Sequence, residues 1–224
     1  MRRLTLMLSD APLETVPRQL WGHPSVAGYA RRRGRPPYRT LLDASVHWQA
    51  MKRLPGRERR GRPDIVHVAL LLALDSPLCR GGGCRLYLHT VEDKVIEVDP
   101  STRLPRSYQR FIGLMEQLLM EGTVPPAAER PLMKVTRLSL GEVAGSSPVV
   151  MWRGGGEVGL REAARIALES GVLVVPLAPR GSVPATASAL PGRHLYPRGL
   201  GDAEPWTLLY HLLVAVEEEA GLLG

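Results

Sequence analysis

The sequence predicts an α/β fold built on a mainly parallel sheet. The chain opens on a dense apolar run, Leu4-Thr-Leu-Met-Leu-Ser-Asp10, which has the length and composition of a buried strand. Beyond residue 132, short apolar runs at 133–135, 149–152 and 172–176 alternate with a helical pattern at 160–170, as successive strand–helix units require. At 224 residues, 44% apolar and 23% charged, the chain can bury a sizeable core in one large domain, and its composition fits neither disorder nor a membrane span.

The remaining elements are legible in order. Val16, Leu20, Val26 and Tyr29 make a mostly helical stretch that Pro24 interrupts, and a basic, proline-containing loop follows. Residues 41–54 space Leu42, Val46, Met51 and Leu54 in a loosely helical pattern that ends at Pro55-Gly56. Residues 65–74 are apolar nearly all round, which fits a central helix or a buried strand; Asp64 beside the start favours the helix. Past three glycines, residues 85–90 and 95–99 alternate about a short polar turn, the pattern of a hairpin, and residues 80–105 read as a hairpin/helix elaboration. Residues 107–121 place Phe111, Leu114, Met115, Leu118 and Leu119 in one apolar stripe, a helix that packs on the core. Residues 179–191, rich in Pro, Ala and Ser, read as an unusually long surface loop. The last helix, 206–220, carries Leu209, Leu212, Leu213 and Val216 on one face and stops at Gly221.

No apolar run reaches the roughly 18 residues of a spanning helix. Only six uncharged residues separate Arg3 from Asp10, so the chain reads as a soluble, unprocessed, cytoplasmic protein. Its two cysteines, Cys79 and Cys84, have no second Cys or His pair to complete a zinc site, and no metal is expected. Free thiols and a disulfide both remain open, the former being usual in a reducing cytosol. The net charge of +7 is clustered: Arg31, Arg32, Arg33, Arg35 and Arg39; Arg57, Arg59, Arg60 and Arg62; Arg103, Arg106 and Arg110. A basic run is often only a solvated face. Three arginine clusters in one half of the chain favour RNA or another phosphate partner.

Local patterns name candidates for chemistry. Arg106 and Arg110, four apart at a helix start, repel each other unless an anion lies between them, and the guanidinium fork suits phosphate. Gly61-Arg-Pro-Asp64 puts a fixed-φ proline between Arg62 and Asp64, so Asp64 either caps the helix or orients Arg62, and the pattern alone favours the cap. Gly154-Gly-Gly156 has neither Rossmann nor P-loop spacing and reads first as a turn. His67 and His89 sit among apolar residues and read as core histidines. No Ser/His/Asp or Cys/His set points to hydrolysis.

Several long motifs then recur in a fixed order: His23-Pro-Ser-Val, Leu41-Leu-Asp-Ala-Ser-Val-His47, Gly61-Arg-Pro-Asp-Ile-Val-His67, Leu74-Asp-Ser-Pro77, His89-Thr90, and Pro105-Arg-Ser-Tyr-Gln-Arg-Phe-Ile-Gly-Leu-Met-Glu-Gln-Leu118. On these residues the chain resembles the small-subunit ribosomal RNA pseudouridine N1-methyltransferases of ribosome biogenesis, in the SPOUT class. The resemblance runs from Leu4 to the C-terminal helix. It implies one SPOUT-like domain over residues 1–224 with a C-terminal trefoil knot, a homodimer, S-adenosylmethionine as cofactor, and methylation of pseudouridine N1 in small-subunit rRNA.

By the same resemblance Arg62, Arg103, Arg106 and Arg110 contact RNA, and Asp64 steadies Arg62, which makes Arg62 and Asp64 the candidate catalytic pair. It places the cofactor against Met151, Gly156, Leu195, Tyr196, Pro197, Arg198, Gly199 and Leu200. Met151 stands where relatives carry a glycine. That departure keeps open a rival in which the fold serves RNA-binding assembly without chemistry, beside one in which another base is methylated.

Overall fold

The structure, a computed structural model, describes residues 3–223. Its elements in chain order are β1 (Leu4–Ala11), α1 (Pro24–Arg32), α2 (Ala44–Met51), α3 (Pro63–Asp75), α4 (Pro77–Arg80), β2 (Cys84–Thr90), β3 (Val95–Val98), α5 (Tyr108–Glu121), β4 (Thr123–Val124), β5 (Met133–Val135), α6 (Leu140–Ala144), β6 (Val149–Val158), α7 (Leu160–Ser170), β7 (Val172–Pro176), β8 (Arg193–Pro197) and α8 (Pro205–Glu219). They form one eight-stranded sheet of order β4-β5-β3-β2-β1-β7-β6-β8. The five strands from β2 to β8 are mutually parallel. β3, β5 and β4 extend that block antiparallel. The run at 133–135, expected in a strand–helix unit, therefore joins the antiparallel edge. The expected hairpin is continuous with the sheet, since β2 pairs along its length with β1.

Strand periodicity sorts the core into two faces. Leu4, Leu6 and Leu8 point into the main cluster, with Ile65, Leu70, Phe111, Met115, Ala163, Leu209 and Leu212 from the helices. Met7, Val150 and Val174 point the other way, against Leu140, Ala144 and Ala187. A parallel block covered on both faces explains why β1 reads as a continuous apolar run. No helix among the described residues is long and apolar enough to cross a membrane.

A third, satellite cluster lies at residues 16–54: Val16, Leu20, Val26, Leu42, Ala50, Met51 and Leu54. Here Pro24 begins a helix instead of interrupting one. As the first helical residue it forfeits no hydrogen bond, and His23 caps the turn by accepting from the Ser25 N–H at 3.3 Å. Upstream the chain makes only a 3-10 turn, Arg18–Leu20. α2 is shorter than the pattern at 41–54, because the Asp43 carboxylate caps it from the Ser45 N–H at 2.8 Å.

Ion pairs dock this satellite on α5. The fully buried Glu116 carboxylate accepts from Arg33 at 2.7 Å and Arg35 at 2.8 Å, and Arg39 pairs with Glu121 at 2.9 Å. Arg60 pairs with buried Glu14. Four of the clustered arginines thus have carboxylate partners within the chain. Cys79 and Cys84 are joined by a disulfide across the turn from α4 to β2, not left as free thiols.

The long segment 177–192 is a surface loop anchored from within. Asp10, at the end of β1 with φ 49°, accepts from the backbone N–H groups of Thr186 at 2.7 Å and Ala187 at 3.0 Å. A positive φ at a non-glycine residue costs about 1–3 kcal/mol and persists only where neighbours over-determine it. The two loop amides, and the His89 Nδ1 that accepts from the Asp10 N–H at 3.2 Å, supply that restraint.

Candidate functional site

Arg62 is the residue before the first turn of α3, and Asp64 is the second residue within it. Asp64 makes no helix cap. Both its oxygens accept from Arg62, Oδ1 from Nε at 2.8 Å and Oδ2 from Nη2 at 2.7 Å. The fixed φ of Pro63 sets the turn that lets the two planar groups meet edge to edge. The Asp64 hydrogen bond raises the Arg62 pKa, partial burial opposes it, and the nearby charge of Glu204 adds to the rise.

Arg103 and Arg106 lie in the segment entering α5, and Arg110 in its first turn; all three are exposed. Because α5 starts at Tyr108, Arg106 stands outside the helix and does not share a helical face with Arg110 as the four-residue spacing predicts. None of the three has a carboxylate partner among the described residues. Ser107, at the cap position, leaves the first-turn amides without a side-chain acceptor, and no acidic residue lies in that turn. A positive helix end flanked by unpaired arginines is a site for an anion.

Two contacts bring this segment to α3. The His67 Nε2–H donates to the Pro105 carbonyl at 2.8 Å, and its ring stacks on Phe111 with centroids 4.4 Å apart. His67 is thus a satisfied structural histidine, as its apolar setting predicts, and so is His89, whose Nε2 meets Asp93 Oδ1 at 2.8 Å. Tyr108, between Arg106 and Arg110, donates to Asp43 Oδ2 at 2.7 Å. Burial first, then that carboxylate, pushes its phenol pKa up, with Asp64 near enough to contribute. Tyr108 is the residue that sequence reasoning missed. An aromatic placed two residues from each of two arginines is the signal that could have found it.

The candidate cofactor residues gather on the other half of the sheet. β6 and β8 pair with Met151 opposite Leu195, and then with Gly156 opposite the same Leu195. Residues 152–155 therefore bulge out of the strand, so Gly154 and Gly155 belong to a strand excursion, not the turn their pattern predicts. Gly155 lies against β8: a Cβ there would come within 2.4 Å of the Leu195 nitrogen. Gly156, back in register, has 3.9 Å of clearance. Further along, Tyr196 and Pro197 face Glu157 and Val158, and the Arg198 N–H donates to the Val158 carbonyl at 2.8 Å. Gly199 takes φ 88°, and Leu200 packs on the main core.

Where these strands end there is a narrow cleft of about 50 Å³, lined by Met151, Pro176, Tyr196 and Leu208 among others. Carboxyl ends of parallel strands are where open α/β sheets bind ligands. Of the candidate cofactor residues, Met151 and Tyr196 line the cleft and the other six do not; Trp152, Arg153, Arg180 and Asp202 also line it and were not foreseen. Asp202 pairs with Arg153 and, at 2.7 Å, with Arg180. The polar residues come from segments without regular pattern, so periodicity could not find them. The two sites adjoin through α8. Ala203 and Pro205 line the cleft, while Glu204 between them reaches Arg62 with its field. One buried Glu204 oxygen, Oε2, has no hydrogen-bond partner among the described residues.

Comparison with known proteins fits this geometry. The family model described as EMG1/NEP1 methyltransferase matches residues 6–194. The chain is 51% identical over 140 residues to the ribosomal RNA small subunit methyltransferase Nep1 of Staphylothermus marinus, a match spanning 62% of this chain and 61% of that protein. It is 38% identical over 220 residues to the protein of the same name from Thermococcus onnurineus, spanning 96% and 98%. The crystal structure of Archaeoglobus fulgidus Nep1 bound to S-adenosylhomocysteine superposes with a TM-score of 0.86 at 33% identity, covering 99% of this chain and all of that one.

Proposed function

We propose, from the premise that this chain belongs to the EMG1/NEP1 methyltransferase family, that it methylates N1 of a pseudouridine in small-subunit ribosomal RNA. It is an S-adenosylmethionine-dependent methyltransferase of that RNA. The observation that carries the reading is the adjacency of two unlike sites: an apolar cleft at the carboxyl ends of parallel strands, and a row of unpaired arginines beside the Arg62–Asp64 pair.

The cleft suits the cofactor in chemistry. Met151, Pro176, Tyr196 and Leu208 give apolar walls for a flat purine. At about 50 Å³ the cleft is narrower than the roughly 300 Å³ of an ordinary small-molecule site. A cofactor bound there would need residues 178–184 and 199–204 to part. The Arg180–Asp202 pair that joins them is about half exposed and screened by water, so it opposes their parting only weakly.

S-adenosylmethionine, when bound, supplies an electrophilic sulfonium methyl. The residues of the chain position the acceptor. Arg103, Arg106 and Arg110 hold phosphates, Arg62 is steered by Asp64, and the base is presented flipped from its stack. Holding both reactants in line can supply about 7–11 kcal/mol of the barrier. We place this activity in the cytoplasm, within assembly of the small ribosomal subunit, and the knotted C-terminal topology belongs to the same reading.

The target is testable because only pseudouridine has a free N1–H; in uridine that nitrogen carries the ribose. Labelled cofactor incubated with two hairpins that differ only at this nucleotide should label the pseudouridine hairpin alone. Label in the uridine hairpin would overturn the assignment.

The same reading includes a homodimer. A groove of about 1180 Å³ between α3 and α8 is lined by Val68, Leu71, Leu72, Tyr210, Leu213 and Val214, with Arg103 and Arg106 also bordering it. Val68 and Tyr210 are 37% and 51% exposed, an apolar face that a second copy would cover. Sedimentation at micromolar concentration should give twice the 24.6 kDa chain mass. Tyr210→Glu should shift it to the monomer, and a wild-type monomer would refute the dimer.

A further inference from the structure

We propose that the satellite formed by residues 16–60 is a second RNA-contacting surface, with Trp48 and Arg57 as a stacking platform for single-stranded RNA flanking the target hairpin. This rests on reading the chain as an RNA methyltransferase and concerns a surface outside the site described above.

Charge is the first observation. Residues 16–60 hold eleven Lys and Arg against two acids, a net of +9; the chain total is +7, so all other residues together stand at −2. The positive field of the protein is this segment's. Much of it remains unspent, because Arg33, Arg35, Arg39 and Arg60 have carboxylate partners, whereas Arg18, Arg31, Arg32, Lys52, Arg53 and Arg57 have none among the described residues. All six are exposed. Of the two acids, Asp43 is buried and occupied by α2 and Tyr108, so only Glu58 offsets them on the surface.

The second observation is the indole of Trp48, 55% exposed on α2 and outside the satellite cluster. The Arg57 guanidinium lies 5.9 Å from its ring centroid. An exposed aromatic among unpaired cations is how single-stranded nucleic acid is held without sequence preference. A membrane surface would instead ask for an apolar face beside the cations. The large apolar side chains exposed in this segment are Tyr38 and Trp48, both aromatic.

Position is the third. Asp43, the cap of α2, accepts the Tyr108 hydroxyl, and Tyr108 lies between Arg106 and Arg110. Trp48 is five residues further along, about 7.5 Å of helix rise, or about two stacked steps of a strand. The helix that carries the platform is thus tied at its start to the segment that bears the arginines. The Arg33, Arg35 and Arg39 pairs fix its distance from α5.

The test uses the full chain and two RNAs: a pseudouridine hairpin, and the same hairpin with single-stranded tails of about ten nucleotides. Affinity is read by fluorescence anisotropy across salt concentrations, beside methyl transfer. Wild type should bind the tailed RNA about tenfold more tightly than the bare hairpin, with a steeper salt slope. Trp48→Ala with Arg57→Ala should remove that advantage and leave affinity and methyl transfer on the bare hairpin unchanged. Trp48→Phe, which keeps a stacking face, should retain most of it. The proposal is overturned if tails add nothing in wild type, if the double variant keeps their advantage, if it weakens both RNAs equally, or if it loses binding only to phosphatidylserine vesicles. Failure of wild type to methylate the bare hairpin would refute the target assignment instead, so the two failures are distinguishable.

Discussion

Gly155→Ala should weaken cofactor binding sharply by adding one methyl group. The added Cβ would lie 2.4 Å from the Leu195 nitrogen and 2.6 Å from the His194 carbonyl carbon, both backbone atoms that cannot rotate away. Relief requires β8 to move off β6, and overpacking of this kind costs about 1–3 kcal/mol. β8 leads through Tyr196 to Asp202, both in the cleft, so the displacement is passed directly to one wall. Charged wholly to binding, about 2–3 kcal/mol is a loss of about 30- to 150-fold in cofactor affinity, measurable by calorimetry. Gly156→Ala is the control, because its Cβ would meet nothing nearer than 3.9 Å. It should melt with wild type. Should Gly156→Ala bind cofactor poorly at an unchanged Tm, the cofactor approaches that backbone directly, as the family resemblance implies. Wild-type affinity and Tm in Gly155→Ala would show that the bulge yields and that the strand contact does not shape the cleft.

These neighbouring glycines illustrate what the sequence does and does not disclose. Run length and periodicity report burial, and so β1, α3, α5, α7, β7 and α8 are legible within a few residues. Direction of pairing is not local information. The three-residue run Met133–Val135 looks like any short parallel strand, and only its ladder with β3 places it on the antiparallel edge. Helix starts are decided by caps: Asp43 ends the apparent reach of α2 backwards, and the start at Tyr108 leaves Arg106 outside α5. The bulge at 152–155 depends on where β8 lies, some forty residues later, so no window around Gly154 contains it.

The candidate sites divide in the same way. The arginines are visible because charge patterning needs no partner, but their fates differ. Glu116 and Glu14, distant in sequence, occupy Arg33, Arg35 and Arg60, while Arg103, Arg106 and Arg110 stay unpaired among the described residues. Arg62 and Asp64 are close enough in sequence for the pair to be foreseen, though not for its bidentate geometry. The cleft was the least legible. Pro176, Arg180, Asp202 and Leu208 come together there only through the crossing of four segments.

Asp64→Asn should lower methyl transfer and RNA affinity together, by about 5- to 30-fold, on the proposal that Asp64 acts through Arg62. In the pair, both carboxylate oxygens already accept charged N–H groups of Arg62, an arrangement that fixes the direction of the guanidinium. The side-chain amide introduced by this substitution keeps one acceptor but turns an NH₂ toward the guanidinium. That forfeits about 1–2 kcal/mol of charge-assisted hydrogen bonding, hence the expected range. Partial exposure of both side chains, 36% and 44%, keeps the loss at this level instead of that of a buried pair. Arg62→Ala should cost more, about 100-fold, since the proposed phosphate contact itself would go. The double variant should be no worse than Arg62→Ala alone, because a steering group has nothing left to steer. A general base would behave otherwise. Methyl transfer would then fall by about 10²–10⁴-fold at unchanged RNA affinity, part of the rate would return at high pH, and the two substitutions would multiply. Turnover, anisotropy and a pH profile on the three variants therefore separate the roles, and intact RNA binding by Asp64→Asn with alkaline rescue would assign the proton to Asp64.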